Sequence, residues 1–320
     1  MKKLLLIILL TQPAWHVTAQ RKKTTESTPA PSAPTAIEAR VSGLKAYPGY
    51  FSFYYDEKKD QVLLLIDKFD EEFLYVESLT AGVGSNDIGL DRNQLGRDRV
   101  VRFERRGPKV LLNEMNYNFR AVSSDPAERR AVQESFAQSV LWGFTVVAEE
   151  EGKVLVEASD FFLQDAHDVV GSLRNAQQGN YSLDKSRSAF YLPRMKNFPQ
   201  NTEVEVTLTF TGQPSGGYIR SVTPTPSAVT VREHFSFIQF PDSNYKPRKF
   251  DPRAGFFNIS YYDYATPVSE PIEKRFICRH RLEKKDPTAA RSEAVKPIVY
   301  YMDPGAPEPI RSALMEGARW

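Results

Sequence analysis

At 320 residues and a formal charge of +2 at pH 7, the chain lacks the strongly basic face that nucleic-acid binding requires. Hydrophobic residues make up 41% and charged residues 26%, which allows a folded core and excludes disorder of the whole chain. Cys278 is the only cysteine, so no internal disulfide forms and stability rests on packing.

In chain order, Lys2 and Lys3 precede an unbroken apolar run over residues 4–10. That run is too short to span a bilayer as a mature helix. Pro13 interrupts it, and Val17-Thr18-Ala19 is a small-residue cleavage pattern. Residues 1–19 therefore read as a secretory signal peptide cut between Ala19 and Gln20. This predicts an exported protein, periplasmic or extracellular. No cysteine stands at the cut to carry a lipid anchor, and no later run reaches the roughly 18 apolar residues of a membrane helix. Residues 20–36 hold Lys22, Lys23, Pro29, Pro31 and Pro34 among Thr, Ser and Ala, and are expected to be a disordered linker.

Order is expected from Ile37. Residues 61–67 and 72–79 are β-rich, and strands at 100–105 and 109–113 flank the turn Gly107-Pro108. Residues 81–99 are rich in Gly, Asn and Asp and read as a long loop. Asp125, Pro126 and Glu128 then open a helix with an N-cap, a proline at the first position and an acid in the first turn. Val132, Phe136 and Val140 extend it as a stripe at spacing four, and Gly143 stops it. After strands at 144–147 and 154–157, a second helix is predicted from Ser159 or Asp160. Its inner face would be Phe162, Ala166, Val169, Val170 and Leu173.

The remainder is strand-like. Over residues 202–210, Val204, Val206, Leu208 and Phe210 alternate with Glu203, Glu205, Thr207 and Thr209, as a half-buried antiparallel strand does. Val229, Val231, Phe235 and Phe237 alternate with Thr230, Arg232, His234 and Ser236. Residues 212–217 between them read as a hairpin loop. Phe257, Ile259 and Tyr261 mark another strand, and Phe276, Cys278, His280 and Leu282 the inward row of a last one. Pro309 opens a final helix with Ile310, Ala313, Leu314 and Gly317 on one face, still in phase at Trp320. The fold class is α+β, mainly antiparallel sheet with two or three packed helices.

The search for chemistry returns no assigned site. His167, His234 and His280 form no H-E-x-x-H. His167 lies beside Asp165 and Asp168 but off the apolar stripe, as a solvated or hydrogen-bonded histidine does. His234 is expected on an outward face, and His280 and Cys278 on a buried one. No G-x-S-x-G, P-loop or dinucleotide fingerprint occurs. Tyr261, Tyr262 and Tyr264 around Asp263 form an aromatic stripe that either binds glycan or peptide or packs in a sheet, the second being commoner.

Several stretches taken together resemble a known family. They are residues 139–144 (SVLWGF), 187–210 (RSAFYLPRMKNFPQNTEVEVTLTF), 221–237 (SVTPTPSAVTVREHFSF), 250–256 (FDPRAGF), 279–287 (RHRLEKKDP) and 297–320 (PIVYYMDPGAPEPIRSALMEGARW). They resemble the N-terminal region of exported bacterial zinc-dependent metallopeptidases of the met-zincin kind. The resemblance implies a small DUF5118-like β domain at 37–85, a DUF5117-like α+β domain at 90–285, and the truncated start of a catalytic domain at 295–320. The zinc motif H-E-x-x-H-x-x-G-x-x-H of that family lies downstream of the matching stretch. No position here matches a zinc ligand or the catalytic glutamate, so no catalytic, cofactor-binding or metal residue is carried over. The expectation is a non-catalytic portion of a secreted peptidase, inactive alone, partnered in cis by its catalytic domain, with peptide or protein as substrate of the whole. The alternative is a stand-alone exported module that binds glycan or peptide.

Overall fold

A computed structural model describes residues 35–319. The expected signal peptide, its expected cut between Ala19 and Gln20, residues 20–34 of the expected linker, and Trp320 lie outside the described residues. In chain order, α1 (Ala36–Val41) leads to β1 (Lys45–Tyr47), β2 (Phe53–Asp56), β3 (Gln61–Ile66) and β4 (Glu72–Ala81). The hairpin β5 (Gln94–Arg106) and β6 (Lys109–Glu114) follows, then β7 (Phe119–Arg120), α2 (Pro126–Ser135), β8 (Ser139–Glu150) and β9 (Lys153–Glu157). Two short helices, α3 (Ser159–Phe162) and α4 (Val169–Asn175), precede β10 (Gly179–Leu183), β11 (Ala189–Phe190), β12 (Lys196–Phe198) and β13 (Asn201–Pro214). Last come α5 (Gly217–Val222), β14 (Ala228–Gln239), β15 (Asn258–Asp263), β16 (Glu273–Ile277) and α6 (Ile310–Gly317).

The α+β class holds, with most strands in one antiparallel sheet. Its order is β1-β2-β3-β9-β8-β6-β5-β4-β14-β13-β10, and β11 and β12 also pair with β13. Strand β4 sits between β5 and β14, so strands from residues 37–85 and from 90–285 interleave in one sheet. The small second sheet is β16-β15-β7, with β7 parallel to β15.

Alternation builds the core. Phe73, Tyr75 and Leu79 of β4, Val101 and Phe103 of β5, and Phe235 and Phe237 of β14 all bury on the same side of the sheet. Successive strand residues point to opposite faces, so each strand gives one inward row. Helix α3 plugs the hollow. The Phe161 ring lies 5.3 Å from Phe144 and 5.9 Å from Phe235, and Phe162 lies 5.3 Å from Phe235. Each such ring pair adds roughly 0.5–1.5 kcal/mol beyond area burial.

The two ends of the sheet are stitched together. Tyr50 N donates to the Phe198 carbonyl at 2.8 Å. Asn197 Nδ2 donates to the carbonyls of Tyr47 at 2.7 Å and Phe51 at 2.8 Å. Phe51 N donates to Thr202 Oγ1 at 3.0 Å. The sheet therefore rolls until the segment joining β1 and β2 reaches β12 and β13.

Four element expectations are corrected. Helix α2 stops at Ser135, and Phe136 already has extended backbone; Val140 and Gly143 belong to β8, where pairing with β6 wins over helical spacing. The predicted second helix is two helices. The Asp165 carboxylate accepts from Val169 N at 2.7 Å and Val170 N at 2.9 Å, and Asp168 caps α4 from a left-handed backbone with φ 57°. Short acidic side chains that bond nearby amides compete with helix continuation. The loop after β4 ends by Gln94, because β5 starts earlier than its composition suggests. Past Pro214 the chain forms α5 rather than a plain hairpin loop.

Candidate functional site

Three groups of polar side chains could carry chemistry. The first interrupts the core rows themselves. Glu77 of β4 and Glu233 of β14 occupy inward positions and are almost fully buried. Register shifts fall beside both, between Val76 and Ser78 and between Arg232 and Glu233. Glu77 pairs with Arg99 and accepts from Arg97 N at 2.8 Å. Its carboxylate lies over Gly96, where a Cβ would stand 2.2 Å from Oε1. Glu233 Oε2 accepts from Ala166 N at 3.1 Å, while its Oε1 is buried without a partner. Burial, followed by the nearby Asp165 charge, pushes the Glu233 carboxyl well above the usual carboxylate range. Burial also raises Asp165 and lowers His167. His167 is half-buried, with Nε2 3.4 Å from Gln94 Oε1 and Nδ1 unpartnered. Glu77 is thus taken up by Arg97 N and Arg99, while Glu233 and Asp165 bond the amides of Ala166, Val169 and Val170 and anchor the loop between α3 and α4.

The second group lies on the outer face of the β13–β14 ladder, where alternation places His234. Its Nε2 contacts Glu203 Oε2 at 2.7 Å and its Nδ1 contacts Glu205 Oε2 at 3.1 Å. Burial alone would lower its pKa, but hydrogen bonds to the two carboxylates outweigh that and raise it to about 9. Ser236 Oγ donates to the same Glu203 oxygen. A histidine already protonated at neutral pH cannot act as the base of a serine triad, and this serine bonds the acid rather than the imidazole. Arg232 completes the network, 3.3 Å from the buried Glu205 and over the Tyr191 ring at 4.4 Å.

Cys278 and His280 do not share a buried face. Ile277 is the inward residue of β16, and the chain leaves the sheet immediately after it, so Cys278 and His280 are exposed. Phe276 is half-buried while Glu273 and Arg275 are exposed, so the expected row begins in β16 but ends with the strand.

The third group has unspent chemistry. A cavity of about 200 Å³ opens between the 115–122 segment and α2. The sequence folds this way because Asp263 of β15 is buried and its Oδ1 accepts from Val122 N at 2.9 Å and Ala265 N at 3.1 Å. Tyr262 N and Tyr264 N donate to the carbonyls of Asn118 and Arg120 at 2.8 and 2.7 Å. Phe119 stacks on Phe136 at 3.9 Å and 4°, and on Tyr262 at 5.7 Å and 16°. Arg120 lies over the rings of Tyr117 at 4.8 Å and Tyr261 at 4.3 Å. The aromatic stripe therefore packs against Phe119 and Arg120, which line the cavity, and none of its own tyrosines lines it. Tyr261, Tyr262 and Tyr264 were legible in the sequence. Phe119, Phe136, Arg120 and Arg129 were missed, because only the tertiary fold brings them to one cavity.

A family model, Domain of unknown function (DUF5117), matches residues 93–285, a span that contains this cavity. No curated protein and no solved structure matches the chain.

Proposed function

The chain belongs to the DUF5117 family, and on that footing we propose that it is the non-catalytic N-terminal portion of an exported zinc-dependent metallopeptidase, a scaffold that holds the catalytic domain in cis. One observation carries this reading. From residue 295 onward, Val295, Val299, Tyr300, Tyr301, Ile310 and Leu314 are all exposed, Tyr300 at 82% and Tyr301 at 93%. Helix α6 buries none of its residues. Exposed large apolar side chains in this number support the reading that another domain covers them. The resemblance of residues 297–320 to the entry of a peptidase domain supports the same partner. Among the described residues, no group of three or more His, Cys, Asp or Glu side chains is placed to hold a metal ion. On this reading the zinc belongs to the catalytic domain.

The test is direct. Purified chain should leave casein intact and take up no stoichiometric zinc, and the reading frame past the codon for Trp320 should run into H-E-x-x-H. Casein cleavage that a chelator abolishes would sink the non-catalytic assignment, and a stop codon directly after Trp320 would sink the partner in cis. The rival reading, a stand-alone binding module, is favoured in its peptide form by the cavity beside Phe119. Its glycan form is disfavoured, because a sugar needs a free ring face and Phe119 is stacked on two neighbours.

A further inference from the structure

The cavity between the 115–122 segment and α2 combines two features. Its walls are mostly apolar, with Met115, Phe119, Val122, Val132 and Phe136 among them, and no acidic residue lines it. Yet two arginines, Arg120 and Arg129, line it. Among the described residues neither forms an ion pair, and the neighbouring acids are occupied elsewhere. Glu114 pairs with Arg97 at 3.2 Å and Arg99 at 3.8 Å. Glu72 accepts the Tyr117 hydroxyl. Asp125 takes Ala127 N at 2.8 Å. Asp263 takes Val122 N and Ala265 N.

Arg120 is also held in place. Its Nε donates to the Tyr117 carbonyl at 2.7 Å. Its guanidinium lies over the Tyr117 and Tyr261 rings, and Tyr117 is itself pinned by Glu72. Cation–π contacts use the faces of the group and leave terminal N–H donors at its edge. Arg129 spends one donor, Nη1 to the Ser123 carbonyl at 2.6 Å. A fixed planar guanidinium with free edge donors is suited to a carboxylate.

We infer that this cavity binds the C-terminal carboxylate of a peptide whose last side chain is bulky and apolar. The size fits: an apolar cavity of about 150 Å³ accepts a benzene ring, and this one is about 200 Å³. The preceding residues have somewhere to go. A polar chamber of about 390 Å³ shares the Met115–Tyr117 wall and is lined by Arg97, Asp98, Asn118 and Ser139, groups that can satisfy peptide N–H and C=O. The site works in the chain alone and goes beyond the scaffold reading. Casein cleavage would overturn that reading and leave this one standing.

The experiment is calorimetric titration of the purified chain with acetyl-Ala-Ala-Phe as the free acid, the same peptide as its C-terminal amide, and 3-phenylpropionate. The free acid should bind, and the amide at least about tenfold more weakly, the worth of a charge-assisted pair. Arg129→Gln changes an exposed α2 side chain, so folding should survive, as circular dichroism would verify. It should weaken binding of the acid several-fold and leave the amide unchanged, with Arg120 keeping the acid ahead of the amide. Phenylpropionate should bind more weakly than the peptide acid. Equal binding of acid and amide, no acid binding at millimolar concentration, indifference to Arg129→Gln, or phenylpropionate binding as tightly as the peptide would each overturn the proposal.

Discussion

Glu233 takes a place that alternation reserves for an apolar side chain. Val229, Val231, Phe235 and Phe237 on the same strand are buried around it, and the sequence pattern skips residue 233 as though it were not there. That gap was a usable signal, since a carboxylate at inward parity has to be paired, capped or neutral. Glu77 leaves the same gap between Tyr75 and Leu79. The pH consequence follows from the direction of the shift. The folded-state pKa of Glu233 is raised, so its contribution to stability is fully present below the ordinary carboxylate pKa of 4.5 and is lost as pH rises through the folded value. Glu233→Gln removes that ionisation. The variant should match the wild type near pH 4.5 and exceed it by about 1–3 kcal/mol at pH 9, a range typical of a buried group that must otherwise charge. Thermal melts across that range decide it, and parallel pH profiles for the two proteins would refute the buried-acid account.

Strands were more legible than helices, for a physical reason that the β13–β14 ladder illustrates. Two-residue periodicity survives whatever the strand pairs with, so the outward row of Thr230, Arg232, His234 and Ser236 was readable. What sits opposite each residue was not, because register is set by the partner strand. The ladder places Glu205 opposite His234 and Glu203 opposite Ser236, which turns an outward histidine into the centre of an ion network. Helix length failed where polar side chains intervened. Asp165 and Asp168 break the run 159–175, and spacing at four residues cannot foresee their bonds to backbone amides. His234 gives the prediction at this scale. Raised from 6.5 to about 9, it contributes stability that is complete below pH 6.5 and disappears as pH climbs through about 9. An NMR titration of its imidazole carbon-bound protons should show a midpoint near 9. A midpoint at or below 6.5 would mean that the contacts to Glu203 and Glu205 do not hold the charge.

The rolled sheet is a property of the whole molecule, and it joins residues about 150 apart in sequence. Composition and periodicity name the strands but carry no information on which two ends meet. Closure depends on Asn197. It bridges the carbonyls of Tyr47 and Phe51, and its Oδ1 accepts from Thr202 Oγ1 at 2.9 Å. Gly49 makes room for it, since a Cβ there would stand 2.1 Å from the Asn197 oxygen. Backbone carbonyls closed off from water must find a donor, so this one side chain satisfies both sides of the seam. Asn197→Ala takes the amide donor from the Tyr47 carbonyl, while the Phe51 carbonyl keeps the Thr202 hydroxyl at 3.2 Å, and should cost roughly 1–3 kcal/mol, the cost of one unsatisfied buried group. The loss should be local before it is global. Amides of β1 and β2, at one end of the sheet order, should lose hydrogen-exchange protection first, while β4 and β14 in its middle keep theirs. If the variant melts with the wild type and protection falls evenly, the seam is incidental and the Phe-lined core alone holds the sheet rolled. If β1 and β2 loosen selectively, the seam is what ties residues 45–56 to the β12–β13 end, and the Asn197 amide is its clasp.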